Sequence, residues 1–342
     1  MNPIQVRYQT ALRPDAKIVT YHRRPVVSSQ FIGYIGQMDN PKTTMFAPLA
    51  KGDTIAVMAP ASHFDRQRFD TGLGVFERMG FRVHVPPAVF AKEGIFAGSD
   101  GQRADIFNRL AADGTVKALA AARGGYGAQR ILDRLDYQAL AVARKPIIGF
   151  SDITALLWAA WSKAGVSSIH GPTVTTLAEA GENQRQAMQC LLCGKWEFVL
   201  ERSEDRPWIA GKARGPVVGG NLTTLCHLIG TRFAPRFSGC IVLLEDCGEK
   251  AYRIDRMVFQ MLRAGCFEGL SGLALGRFSD CDDPGAVDDI FMSLARELEV
   301  PLLAGLPVGH RGPNAPFVYG APAELDPAGG RLYFYADCTD RP

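Results

Sequence analysis

The chain has 342 residues, enough for two domains of ordinary size, each with its own core. At 47% hydrophobic and 21% charged it has the make-up of a folded globular protein, not of a disordered or fibrous one. A net charge of +3 is too small to argue for a nucleic-acid or anionic-membrane partner, and no apolar run is long enough to span a bilayer.

Residues 1–48 read as an extension ahead of the first domain. Arg7, Arg13, Lys17, Arg23, Arg24 and Lys42 outnumber Asp15 and Asp39 there, and no hydrophobic period is visible. The stretch lacks the apolar core of a secretory signal. An organellar transit peptide, a plain extension, and a start at Met38 or Met45 all stay open.

From Lys51 the pattern becomes regular. Residues 54–58 read as an apolar strand ending in the loop Ala59-Pro60-Ala61-Ser62, and 66–79 has helical spacing closed by Gly80. A second strand is expected over 81–85, a helix over 100–112 and a third strand over 116–122. That strand runs into Arg123-Gly124-Gly125-Tyr126-Gly127, followed by a helix over about 128–135 and a strand over 146–148. Gly149-Phe150 breaks this strand, and Ser151-Asp152 open an apolar helical run over 153–160. Alternating strands and helices imply right-handed crossovers and a parallel sheet, whose ligands bind outside the carboxyl ends of the strands. The glycine-rich turn and the Ser151 turn share that edge.

Residues 196–212, containing ERSEDRPW, are polar and read as a linker. Beyond them, strands are expected over 215–218, 240–244, 270–275, 301–303 and 331–335, and helices over 221–229 and 252–264. The fold class is therefore α/β. A Rossmann-like parallel-sheet domain is expected over 49–195 and a smaller mixed β/α domain over 213–342. The eight cysteines, at 190, 193, 226, 240, 247, 266, 281 and 338, all lie in the second half. Cys190 and Cys193 have a metal-site spacing without a second Cys/His pair, so buried thiols in a reducing cytoplasm are expected, with no metal and no cofactor.

A serine at a strand-to-helix turn has its hydroxyl pushed out of the sheet edge, beside unpaired N–H groups and a positive dipole end. Ser151 reads either as a nucleophile or as an N-cap. The turn RGGYG lacks the Lys-Ser/Thr of a phosphate loop, which leaves a φ > 0 turn or a backbone donor to an oxyanion. A nucleophilic serine needs a base and a group that orients it. Of six histidines, His22 lies in the extension, His63 and His84 lie near strand ends, and His227 is in an apolar helical stretch that suits a core residue. His170, in SSIHGP, is a candidate to line the cleft. His310 sits in a glycine- and proline-rich loop between strands, a favourable place for a base. Glu245 closes the apolar strand IVLLE and could orient it, or could be an ordinary ion-pair or capping carboxylate. The order Ser151, Glu245, His310 is that of α/β-hydrolases, but GFSDI lacks the second glycine of their G-x-S-x-G elbow.

Taken together, GDTIAVMAPAS, ARGGYGAQRILDRLDY, KPIIGFSDITALL, IHGP, GGNLTTL, LLEDCGEKAYRIDRM and LPVGHRGPNAPFVYG resemble the LD-carboxypeptidase family of serine peptidases over about residues 49–337. The resemblance implies Ser151 as nucleophile and Glu245 and His310 as the other triad members. It implies an oxyanion hole from the backbone N–H of Asp152 and of a glycine in RGGYG, which we assign to Gly125. It further implies a site between two domains, a murein tetrapeptide substrate that loses its terminal D-alanine in peptidoglycan recycling, a homodimer and a cytoplasmic setting. Arg123 is the candidate for the substrate's free carboxylate, although it could equally brace the glycine turn. The alternative is the microcin-resistance branch, which hydrolyses peptidyl-nucleotide conjugates with the same triad. Trp208 is the one candidate for stacking on a nucleobase, and a binding module without catalysis is a third reading.

Overall fold

The computed structural model describes residues 41–335, so most of the expected extension, with His22, and Cys338 lie outside the described residues. A first sheet contains β1 (Thr54–Met58), β2 (Arg82–His84), β3 (Val116–Ala121), β4 (Ile147–Gly149) and β5 (Ser168–His170). They pair in parallel in the order β5-β4-β3-β1-β2. The central strands are almost wholly buried, which is why they read as unbroken apolar runs instead of alternating ones. Strand order reverses between β1 and β3. The loops leaving these two strands diverge and open a crevice at the carboxyl edge.

The second sheet has eight strands. These are β6 (Phe198–Glu201), β7 (Trp208–Ile209), β8 (Ala213–Asn221), β9 (Ile241–Cys247), β10 (Gly272–Ser279) and β11 (Leu302–Leu303), with two more that follow a crossing. After β11 the chain returns to the first sheet, where β12 (Phe317–Tyr319) lies antiparallel to β5. It then goes back as β13 (Pro322–Asp326) and β14 (Arg331–Phe334). His310 lies on the outbound crossing.

Between the sheets runs the helix Thr154–Ala164, apolar around its circumference and buried from Thr154 to Trp161. Trp158 Nε1 donates to the Phe233 carbonyl at 2.8 Å, and the Asn221 N–H donates to Thr154 Oγ1 at 3.1 Å. These bonds tie the helix behind Ser151 to the end of β8 and to the loop that precedes β9.

Several expectations need correction. Residues 128–134 form 3₁₀ turns (Ala128–Arg134), not an α-helix. Both ends are tethered: the Ala128 N–H donates to Asp152 Oδ2 at 2.8 Å, and Asn108 Nδ2 donates to the Arg134 carbonyl at 2.9 Å. A 3₁₀ rise of ~2.0 Å per residue spans more distance than the ~1.5 Å of an α-helix. The expected linker contributes β6 and β7 to opposite edges of the second sheet, strands too short to show a period. Ordered packing starts upstream of residue 49. The Thr44 N–H donates to the Gly165 carbonyl at 2.7 Å, and the buried Phe46 ring meets Trp196 edge-on at 5.4 Å. The helix Pro284–Glu297 was not expected, although Asp283 as N-cap and a proline in its first turn mark its start. Among the expected buried thiols, Cys226, Cys240 and Cys266 are buried, Cys190, Cys247 and Cys281 are half-buried, and Cys193 is exposed. Cys193 caps the helix Glu182–Leu192 at its C-terminal end, one position past the buried Leu191 and Leu192.

Candidate active site

β4 ends at Gly149, Phe150 is extended, and Ser151 turns into the left-handed region with φ 63° before one 3₁₀ turn leads into the helix. A non-glycine residue there costs about 1–2 kcal/mol, and such strain persists only where the surroundings impose it. The turn is a strand-turn-helix elbow that needs only the first of the usual two glycines. A Cβ on Gly149 would lie 2.8 Å from Ile153 Cγ2, so the glycine on the strand side makes the room and Ile153 fills it.

Gly124 faces the serine across the crevice. A Cβ on it would lie 3.0 Å from Ser151 Cβ and 3.2 Å from Oγ. Gly124 has no positive φ, so Gly124→Ala carries no backbone strain and tests contact alone. With Ser151 as the expected nucleophile, this variant should lose about 10- to 100-fold in kcat/KM with a near-unchanged melting temperature, because small displacements of a nucleophile are costly. Steady-state kinetics beside a thermal melt checks it.

Glu245 is fully buried near the carboxyl end of β9. Beside it on β10, Gly276 has no side chain, and a Cβ there would sit 2.4 Å from the Val308 carbonyl and 3.2 Å from Glu245 Cβ. The missing atoms let the loop after β11 lie directly over Glu245. That loop is pinned by the Arg277 N–H donating to the Val308 carbonyl at 2.7 Å, by Arg277 Nη1 donating to the Pro313 carbonyl at 2.8 Å, and by the Gly309 N–H donating to Asn314 Oδ1 at 3.2 Å. It presents His310 between the other two residues. His310 Nδ1 lies 2.7 Å from Glu245 Oε2, and Nε2 lies 2.9 Å from Ser151 Oγ. A carboxylate can only accept, so Nδ1 carries the hydrogen and Nε2 is left with its lone pair toward the serine O–H. Burial by itself pushes the His310 pKa down, but the hydrogen bond and charge of Glu245, together with the charge of Asp246, outweigh it and hold the pKa above its ordinary value.

Behind Glu245, Asp246 is buried and accepts from Asn221 Nδ2 at 3.0 Å and from the Thr223 N–H and Oγ1 at 2.8 and 2.7 Å. It fixes the end of β9 to the turn after β8.

The other candidates are placed as follows. Gly125, at φ 101°, has Ser62 at its Cα, and a Cβ there would fall 2.5 Å from Ser62 Oγ. Ser62 Oγ in turn accepts from the Tyr126 N–H at 3.1 Å. The serine closing the β1 loop thus braces the glycine turn after β3. The Asp152 carboxyl is buried and accepts from the Ala128 N–H, and burial pushes its pKa up to about 6. Arg123 is exposed, with Nη1 donating to the His63 carbonyl at 2.9 Å.

Two histidines depart from expectation. His170 does not line the cleft: it is fully buried, stacked on Phe317 at 4.7 Å, and burial pushes its pKa down to about 3. β12 covers it, a pairing that local pattern does not reveal. His227 is exposed, not in the core, with Nδ1 donating to the Thr223 carbonyl at 2.7 Å, since its helix stops at Cys226. Trp208 is exposed on the edge strand β7. Nothing in the local sequence distinguishes Gly124 from Gly125, or marks Arg277 and Ser62. Only contacts across the crevice give them a place.

The chain matches the N-terminal LD-carboxypeptidase domain over residues 55–171 and the C-terminal LD-carboxypeptidase domain over residues 214–325. It is 32% identical over 293 residues to the murein tetrapeptide carboxypeptidase of Pseudomonas aeruginosa, covering 81% of this chain and 94% of that one. It is 28% identical over 321 residues to the microcin C7 self-immunity protein of Escherichia coli, covering 82% and 92%. The structure of a muramoyltetrapeptide carboxypeptidase from Oxalobacter formigenes superposes with a TM-score of 0.73 at 29% identity, covering 82% of this chain and 97% of that one.

Proposed function

The chain belongs to the LD-carboxypeptidase family of serine peptidases, and from that premise we propose that it removes the terminal D-alanine from murein tetrapeptides through a Ser-His-Glu acyl-enzyme. The observation that carries this reading is His310, which bridges Glu245 at 2.7 Å and Ser151 at 2.9 Å with one nitrogen each. Ser151 Oγ attacks the carbonyl of the diamino acid while His310 Nε2 takes the hydroxyl proton. Glu245 holds the imidazole tautomer and stabilises the imidazolium.

The oxyanion that forms is met by the N–H groups of Asp152 and Gly125. His310 then gives its proton to the departing D-alanine amine, and water, deprotonated by the same imidazole, resolves the ester. Arg123 is our candidate for the substrate's free carboxylate, which suits a planar guanidinium. The same reading assigns the enzyme to peptidoglycan recycling in the cytoplasm as a homodimer. Among the described residues, no helix is long and apolar enough to cross a membrane.

Purified protein incubated with UDP-muramoyl-tetrapeptide is expected to release D-alanine, measured by D-amino-acid oxidase coupling. Cleavage of a peptidyl-nucleotide conjugate without D-alanine release would instead assign it to the microcin-resistance branch. No hydrolysis of either would leave the binding-module reading.

A further inference from the structure

The proposed mechanism uses Asp152 only through its backbone, yet its carboxylate is one of the few buried charged groups in the first half of the chain. Oδ2 reaches out of the nucleophile turn and accepts from the Ala128 N–H at 2.8 Å, at the point where the glycine turn ends. The adjacent Gly127 amide also favours the charged carboxylate.

On the other side, the fully buried Arg103 guanidinium donates from Nη1 to the Gly127 carbonyl at 2.9 Å and to the Pro60 carbonyl at the end of the β1 loop. The end of the glycine turn is therefore held between a carboxylate from the serine turn and a guanidinium from the helix Asp100–Ala112. This turn has positive φ at Gly125 and Gly127, and three of its five residues are glycines. A glycine-rich backbone is conformationally permissive, so its position depends on outside tethers. The other end of the turn, at Gly124, presses on Ser151 itself.

We infer that the Asp152 carboxylate is a positioning residue that sets the separation between the serine turn and the glycine turn, and with it the alignment of the two backbone donors on the oxyanion. This inference rests on the proposed role of Ser151. An oxyanion donor acts on the transition state more than on the bound substrate, so its misplacement lowers kcat and leaves KM nearly unchanged. A carboxylate that merely caps the 3₁₀ turns would change stability without that split.

The test compares the full chain with Asp152→Asn and Asp152→Ala in D-alanine release from UDP-muramoyl-tetrapeptide, with a thermal melt for each. Asparagine keeps one acceptor for the Ala128 N–H but turns a donor toward the turn, and about a 10-fold loss in kcat is expected. Alanine removes the tether, and about a 100-fold loss is expected, with KM within about 2-fold in both, in line with the cost of small misplacements. A folded Asp152→Ala with kcat within 2-fold of the unsubstituted protein would overturn the inference. If alanine prevents folding, an asparagine variant with unchanged kcat overturns it equally. Loss expressed mainly in KM would also overturn it. If the unsubstituted protein hydrolyses neither this substrate nor a peptidyl-nucleotide conjugate, the reading of Ser151 fails first and takes this inference with it; if it cleaves only the conjugate, the same kcat and KM comparison is read on that substrate.

Discussion

Replacing Ser151 with alanine is expected to lower kcat for D-alanine release by about 10⁴- to 10⁶-fold, because in the proposed mechanism it removes the nucleophile and leaves only binding and the oxyanion donors. The fold should survive, since the Ser151 hydroxyl points to the crevice and, among the described residues, its hydrogen-bond partner is the His310 ring. The backbone makes a second, independent prediction at this position. At φ 63° an alanine bears the same left-handed cost as serine, and a glycine does not. Ser151→Gly should therefore be inactive and yet more stable than Ser151→Ala by about 1 kcal/mol. Paired thermal melts and single-turnover assays read both effects. An alanine variant that keeps most of its activity would remove Ser151 from the mechanism, and an alanine variant melting above the glycine variant would remove the strain.

Glu245→Gln is expected to lower kcat/KM by about 10³- to 10⁴-fold at the pH optimum, because an amide can turn its NH₂ toward His310 Nδ1 and select the wrong tautomer. With the proton forced onto Nε2, the imidazole has no lone pair for the Ser151 proton.

The pH profile gives the sign of the electrostatic effect. The proposed mechanism needs neutral His310, so kcat/KM is expected to fall as pH drops through the His310 pKa. In the native protein burial lowers that pKa, and the hydrogen bond and charge of Glu245 with the charge of Asp246 raise it by more. Glutamine removes the charge and leaves the burial. The acid limb should accordingly move to lower pH while the plateau drops. An acid limb that stays in place would mean that Glu245 does not govern the imidazole.

How much of the site was legible varies by residue, and the reasons are physical. Ser151, Glu245 and His310 stand at strand ends or in a loop between strands, places where local pattern already exposes a side chain to a sheet edge. The structure brings these three within hydrogen-bond reach. His170 also closes a strand, so its sequence looks equally suited to a cleft. Its burial comes from Phe317, 147 positions away, through a strand of three residues whose pairing partner has no local signature. Gly124 and Gly125 are adjacent and chemically identical. Which one abuts the serine depends on how two loops from different strands meet.

By itself the sequence determined a parallel sheet with its functional turns at one edge, the family, and the residues able to carry nucleophile, base and acid. Hydrophobic period and turn chemistry are local properties, written within a few residues of where they act. Only the tertiary structure decided that the chain crosses from β11 to β12 and carries His310 over Glu245. It alone set Ser151 in a left-handed turn against Gly124 and clamped the glycine turn between Asp152 and Arg103. Those features depend on which distant surfaces are buried together, a global packing outcome that no window of sequence contains.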